Sequence, residues 1–228
     1  MILGVAKGFG NAKKTWQRYV SSCEYLGVEY RVVDILSDKW LYNIQEVVDV
    51  IQGLLVGPPC QSVEEYDIYM ERIYFINQVI SIPIYPSYRE LKLYENKRYC
   101  TSWMQHMGIP HPETHVFVNK KEAIDFVDKA IFPLVSKSSI GAGSTAVHIL
   151  KSKSRALSII NHAFGFNRFL SLGYVSWVTF KHPWIKIPML GSSQKHYVLF
   201  QKYIPIKWEW RIIKIGHSFF GHQKLLKG

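Results

Sequence analysis

Short apolar runs alternate with amphipathic stretches through the first ninety residues, and this alternation constrains the fold more than any other feature of the chain. Ile2 to Val5 is the first run. Thr15 to Leu26 follows, with Trp16, Tyr19, Val20, Cys23 and Leu26 at three- and four-residue spacing, the period of a helix with one buried face. Gly27 stands where such a helix stops. A strand over Glu29 to Val33, a helix over Ile44 to Ile51, a buried strand over Leu54 to Val56, a helix over Glu64 to Val79 and a strand over Ile82 to Tyr85 continue the pattern. Strands joined through helices form a parallel sheet, and its ligands sit beyond the carboxyl ends of the strands. Lys7-Gly8-Phe9-Gly10 and Gly57-Pro58-Pro59 are therefore rim loops. The pair Gly8 and Gly10 falls short of a dinucleotide fingerprint and reads more simply as a turn.

After Pro86 the pattern changes. Tyr94 to Met107 reads as a helix with Lys97 and Arg98 near its start, stopped by Gly108-Ile109-Pro110. A strand (His115 to Val118), a helix (Lys120 to Ala130) and a strand (Leu134 to Lys137) come next, then a glycine- and serine-rich turn and a strand over Ala146 to Leu150. Two further strands lie at Tyr197 to Ile204 and Trp210 to Ile215. Ser218 to Leu225 is a hairpin partner across Gly216-His217. The expected fold is α/β: a parallel-sheet domain over residues 1–88, then an α+β domain with antiparallel sheets over residues 89–228.

Composition narrows the classes. Hydrophobic residues make up 48% of the 228 and charged residues 20%, an ordinary globular balance. No apolar run approaches the roughly 20 residues of a membrane-spanning helix, and Met1 to Ala6 has no basic leader, so it reads as a buried strand and not a signal peptide. Cys23, Cys60 and Cys100 fit neither a disulfide framework nor a zinc site, and a reducing cytoplasm is the expected location. The net charge of +11 is the unusual quantity: it matches either nucleic acid or a cleft for a phosphate-bearing ligand. No membrane partner is expected.

Four features of the second half point to phosphate. Phe132 to Lys137 is a buried strand ending in a lysine, and Ser138-Ser139-Ile140-Gly141-Ala142-Gly143-Ser144-Thr145 follows at once. Such a loop can turn its backbone N–H groups onto phosphate oxygens while Lys137 supplies a charge. The plainer alternative is a tight hairpin with a solvated lysine, since no Walker spacing is present. The third feature is Lys97, which taken alone is a solvated helical lysine. The fourth is Gln201-Lys202-Tyr203-Ile204-Pro205, followed by Glu209 and Arg211 on one face of the next strand. An exposed cross-strand ion pair is the plainer alternative there. No histidine pair has metal spacing, and no Gly-x-Ser-x-Gly nucleophile elbow exists. Trp177, Trp184, Tyr174 and Phe180 with Lys181 and Lys186 read as a long loop over a cleft in preference to a single-strand binding platform.

Tyr94 to Arg98 through Gly108-Ile109-Pro110-His111-Pro112 resembles the entry helix of ATP-grasp enzymes, and Phe132 to Lys137 with Gly141 and Gly143 resembles their phosphate flap. Gln201 to Pro205 resembles their adenine hinge, and Glu209-Trp210-Arg211 their acidic-x-Arg strand. The resemblance is closest to the branch that includes the ribosomal-protein glutamate ligase, and covers the whole chain. It implies that Lys97 and Lys137 bind the α- and β-phosphates of ATP. The loop from Ser138, Ser139, Gly141, Ala142 and Gly143 to Ser144 would close over the triphosphate. Gln201, Lys202, Tyr203 and Ile204 would hold adenine, Glu209 the ribose, and Arg211 would face the γ-phosphate or an acyl phosphate. The implied reaction is ATP-dependent ligation of a carboxylate to an amine or thiol through an acyl phosphate, with an acidic small molecule, peptide or glycan as substrate. Gln201 departs from the commoner glutamate. The family's Mg2+ ligands, an acidic residue and a Glu-x-Asn pair, have no match, since Glu209 is the last acidic residue of the chain. The expectation is an ATP-grasp domain that stops short, binds ATP, and self-associates or pairs with a complementing chain at its final hairpin. The rival is a polyanion or nucleic-acid binder on the same fold, with nucleic acid the less favoured partner.

Overall fold

A computed structural model describes residues 1–8, 13–58, 63–94, 96–140, 147–165 and 196–225. Four parallel strands, β1 (Ile2–Ala6), β2 (Glu29–Val33), β3 (Leu54–Leu55) and β4 (Ile84–Tyr85), form a sheet in the order β2-β1-β3-β4. They are connected through α1 (Lys13–Leu26), α2 (Trp40–Gln45) and α3 (Val63–Tyr74), the last running on into a π-helical turn at Phe75–Val79. Gly27, at φ 64°, ends α1: its N–H donates to the Glu24 carbonyl at 3.2 Å and that of Val28 to Cys23 at 2.9 Å. These are the paired bonds of a glycine-terminated helix.

The helix expected over Ile44 to Ile51 is displaced. It begins at Trp40 and ends at Gln45. Asp34 Oδ1 accepts the Leu36 and Ser37 N–H groups at 3.1 and 3.2 Å, and Asn43 Nδ2 donates to the Asp34 carbonyl at 2.8 Å, so the turn before the helix starts it early. Val47, Val48 and Val50 then lose side-chain freedom in a helix and favour turns, which still carry Ile51 into the core beside Ile44.

A helix the sequence reading omits, α4 (Tyr88–Leu93), follows β4. The Ser87 hydroxyl accepts the Glu90 N–H while the Glu90 carboxylate accepts the Ser87 N–H, a closed capping box. The next helix, α5 (Lys97–His106), starts three residues later than expected, because Tyr94 is extended and Asn96 is the cap, its Oδ1 accepting the Tyr99 N–H at 3.1 Å.

The second sheet is antiparallel. β5 (Thr114–Phe117), β6 (Leu134–Lys137), β7 (Val147–Leu150) and β8 (Val198–Lys202) run in the order β5-β8-β6-β7. Helices α6 (Lys120–Lys129) and α7 (Lys153–Phe164) pack with it around Ala123, Val127, Leu134, Ile160 and Phe200. The sequence reading also omits α7: its buried residues are Ala156, Ile160 and Ala163, and alanines give a weak apolar stripe. Full burial of a side chain such as Phe200 contributes about 1.5–3 kcal/mol. Last comes a hairpin, β9 (Trp208–Ile215) with β10 (Ser218–Leu225), turning at Gly216 with φ 57°. Ile212, Ile215, Phe219 and Leu225 on it are 62%, 65%, 69% and 74% exposed.

Candidate nucleotide-binding site

Lys137 ends β6 next to β8, and the pairing of Val135 with Gln201 brings two side chains together. Lys137 Nζ donates to Gln201 Oε1 at 2.6 Å, Gln201 Nε2 to Thr114 Oγ1 at 2.8 Å, and Thr114 Oγ1 to the Pro112 carbonyl at 2.6 Å. This chain of bonds crosses β6, β8 and β5 and fixes the lysine's direction. Burial pushes the Lys137 pKa below the ordinary lysine value; the Lys97 charge lowers it further, and Glu209 acts in the opposite sense. Lys97 and Glu209, from two distant segments, thus each act on Lys137.

The balance at this point is positive. Glu209 is the carboxylate whose charge reaches Lys137, and it is already paired with Lys224 at 2.8 Å directly across the hairpin. Burial and the Lys97 charge disfavour the Lys137 ammonium, and an incoming polyanion offsets that penalty. What the arrangement can do chemically is attract negative charge.

Ser138 and Ser139 lie at the root of the loop after β6. The Ser138 hydroxyl donates to the Ile140 carbonyl at 3.0 Å. Ser139 is buried and tied on every side: its N–H donates to the Tyr197 hydroxyl at 2.6 Å, its hydroxyl to Asn96 Oδ1 at 2.9 Å, and its carbonyl accepts the Lys97 N–H at 2.9 Å. The Arg98 guanidinium donates to the same hydroxyl at 3.1 Å and lies 4.4 Å over the Tyr197 ring. The first turn of α5, which carries Lys97, is therefore pinned to the strand end that carries Lys137.

No protein-family model and no curated protein sequence matches the chain. Solved structures do. D-alanine–D-alanine ligase from Bacillus anthracis aligns over 100% of this chain and 72% of its own, at 14% identity and a TM-score of 0.55. Carboxyaminoimidazole ribonucleotide synthase from Aspergillus clavatus, in a complex with ATP, aligns over 97% and 52%, at 12% identity and a TM-score of 0.56. D-alanyl-alanine synthetase A from Vibrio cholerae aligns over 96% and 64%, at 12% identity and a TM-score of 0.55. The chain has the ATP-grasp fold. It spans between about half and three quarters of the length of these structures.

Within this ATP-grasp fold, Gln201 bonds to Lys137, and the charges of Lys97 and Glu209 both act on Lys137. Lys202 ends β8, its N–H donating to the Glu113 carbonyl at 2.8 Å, and its side chain is exposed. Tyr203 and Ile204 follow beyond the ladder, where among the described residues the backbone of 203–206 makes no hydrogen bond. Arg211 stands opposite His222 on the hairpin, on the Glu209 side. Gly141, Ala142, Gly143 and Ser144, Phe9 and Gly10, Pro59, Cys60 and the aromatic segment 169–194 lie outside the described residues.

Sequence reasoning missed Asn96, Arg98 as a brace, Thr114 and Tyr197. Asn96 was legible as a helix cap before Lys97; Tyr197, an ordinary strand residue by its surroundings, was not. Among the described residues no three His, Cys, Asp or Glu side chains gather as a metal set. Magnesium requires several oxygen ligands in near-octahedral array, and Glu209, held by Lys224, is one acid. The described residues do not fit that ion.

Proposed function

We propose that this chain binds ATP between Lys97 and Lys137 and belongs to an ATP-dependent ligation of a carboxylate to an amine or thiol. The observation that carries the reading is the convergence of the two lysines, with Glu209 beside them, at the end of β6. In this reading Lys97 and Lys137 neutralise the α- and β-phosphates, and Ser138, Ser139 and the loop 141–144 frame the triphosphate. Gln201, Lys202, Tyr203 and Ile204 hold adenine through a backbone that has left its sheet, Glu209 takes the ribose hydroxyls, and Arg211 faces the far phosphate. The lysines supply charge neutralisation and positioning, which are most of what phosphoryl transfer asks of a protein. The nature of the three solved ligases and synthases supports the reaction class. The second substrate in this reading is an acidic small molecule, peptide or glycan, as the net charge of +11 favours.

The two packed cores favour two domains, with the division near residue 88 and α4 carrying the chain across. Free thiols at Cys23 and Cys100 favour the cytoplasm, and no described helix is long and apolar enough to cross a membrane. The exposed edge and apolar face of the β9–β10 hairpin favour pairing with a second copy of the chain. Sedimentation at increasing concentration tests this, and a strict monomer would refute it.

Calorimetric titration with ATP tests the site. Lys137→Ala should weaken binding by roughly 1.5–3 kcal/mol, the worth of one charge-assisted contact, while Lys151→Ala and Lys153→Ala leave it nearly unchanged. Equal losses in all three would mean that bulk charge does the binding. A polyanion binder, the second reading, rests on the net charge; its affinity would fall log-linearly with salt over several decades, and nucleic acid would then displace ATP.

A further inference from the structure

The carboxyl ends of β3 and β4 border a cavity of about 380 Å³, within the size range of small-molecule sites. In the strand order β2-β1-β3-β4 the connections reverse direction between β1 and β3, and ligands of open parallel sheets bind outside the strand ends beside such a reversal. Tyr19 of α1, Tyr85 at the end of β4 and Tyr94 after α4 give this cavity three phenol rings. Pro58, Pro86 and Leu91 add apolar surface, and Glu90 adds one carboxylate.

Its walls are held in place. The Tyr19 hydroxyl donates to the Val56 carbonyl at 3.4 Å, which sets its ring against the end of β3. Tyr19 and Tyr85 line the same cavity, and burial raises the Tyr19 pKa, with Tyr85 raising it further. Glu90 accepts the Ser87 N–H and the Ser87 hydroxyl, each at 2.8 Å, and both bonds fall on Oε2. Those bonds, with a smaller push from Arg89, hold the carboxyl below the ordinary glutamate range. Lys92, on the same helix, points to the rings of Tyr88 and Tyr99, at 5.6 and 5.4 Å, and no basic side chain is among the described residues that line the cavity. In a chain of net charge +11, the described lining of this recess is aromatic and carries one carboxylate.

We propose that the cavity binds a small organic ammonium ion. Tyrosine faces attract a cation through the ring quadrupole, the Glu90 carboxylate pairs with it, and the prolines and Leu91 cover its hydrocarbon part. An anion would meet the Glu90 carboxylate with no basic side chain among the described lining residues, and a neutral ligand would leave Oε1, the oxygen outside the capping box, without a charged partner. In the ligase reading, on which only the ligand's role depends, the ion is the amine partner of the ligation, bound before it gives up its proton.

Benzylamine and its neutral analogue benzyl alcohol, titrated into the full chain and followed by calorimetry, test the assignment. Benzylamine should bind saturably and at least ~10-fold more tightly than benzyl alcohol, as one charge-assisted contact requires. Glu90→Gln keeps a side chain able to close the capping box; it should weaken benzylamine ~10-fold and leave benzyl alcohol unchanged. Tyr94→Leu should weaken benzylamine while the chain stays folded by circular dichroism. Equal binding of the two probes, benzylamine binding indifferent to Glu90→Gln, or no saturable benzylamine binding would each overturn the assignment. ATP titrated separately into the unaltered protein reads the nucleotide site alone, so a failure there defeats the ligase reading without bearing on the amine result.

Discussion

At the end of β4 the chain sets tyrosines, prolines and a carboxylate around a cavity, whereas at the end of β6 it sets Lys137 and Lys97 against each other. The first place is proposed for a cation and the second for a polyanion. An excess of basic residues spread evenly would give one diffuse attraction for any polyanion; under the proposed reading the two places would instead select ligands of opposite charge. The supports differ too. The lysine site is braced by hydrogen bonds across three strands and by the buried Ser139 root, while the cavity rests on helix α4 and its cap.

The comparison can be broken first through packing. Phe200, fully buried beneath the sheet that carries Lys137, should cost about 3–5 kcal/mol when replaced by alanine. Phe219→Ala on the hairpin, where the ring is 69% exposed, should stay within ~0.5 kcal/mol. Urea denaturation of both variants reads the difference, and similar costs would mean that the lysine site is not built on a packed core.

Tyr197→Phe ranks next. It removes the acceptor of the buried Ser139 N–H, a loss of about 1–3 kcal/mol. Hydrogen exchange at the Ser139 amide should accelerate in the variant, and protection unchanged from the parent would remove Tyr197 from the brace.

A smaller effect, opposite in sign for folding and binding, comes from pH. The folded-state pKa of Lys137 lies below its unfolded value, so between the two the unfolded chain holds the extra proton. Stability of the ligand-free protein therefore rises with pH through that interval, toward the ordinary lysine value of ~10.4. Under the proposed reading ATP needs the ammonium form, so its affinity should fall over the same interval. Denaturation and calorimetry at stepped pH should give the two opposed slopes, and Lys137→Met should flatten both; slopes of one sign would contradict the assignment. Smallest of all, Lys224→Ala should cost only roughly 0.2–1 kcal/mol, because its pair with Glu209 is 42% exposed on each side. A thermal melt showing a larger loss would mean that the hairpin depends on that pair.

Local patterns were legible where the cause was local. The apolar spacing of Tyr19, Val20 and Cys23, the stop at Gly27, the strand ending in Lys137 and the turn at Gly216 all follow from side-chain period and glycine's access to positive φ. The displaced α2 was not legible, because Asp34 and Asn43 start it through side-chain bonds that no periodicity records. The alanine-rich stripe of α7 hid it in a similar way.

The sequence by itself determined that the first half is a parallel α/β sheet and that the second is antiparallel, and its resemblance to ATP-grasp enzymes made Lys97, Lys137, Gln201 and Glu209 candidates for one ligand. Hydrophobic period and turn chemistry act within a few residues, and they are written in order along the chain. Only the tertiary structure decided that Lys97 and Glu209 each act on Lys137, that Tyr197 anchors Ser139, and that Tyr19 meets Tyr85 and Tyr94 around Glu90. Those placements join residues as many as 75 positions apart (94 − 19) through strand order and helix packing. Strand order is settled by which buried faces fit together, a property of the assembled core and not of any one segment.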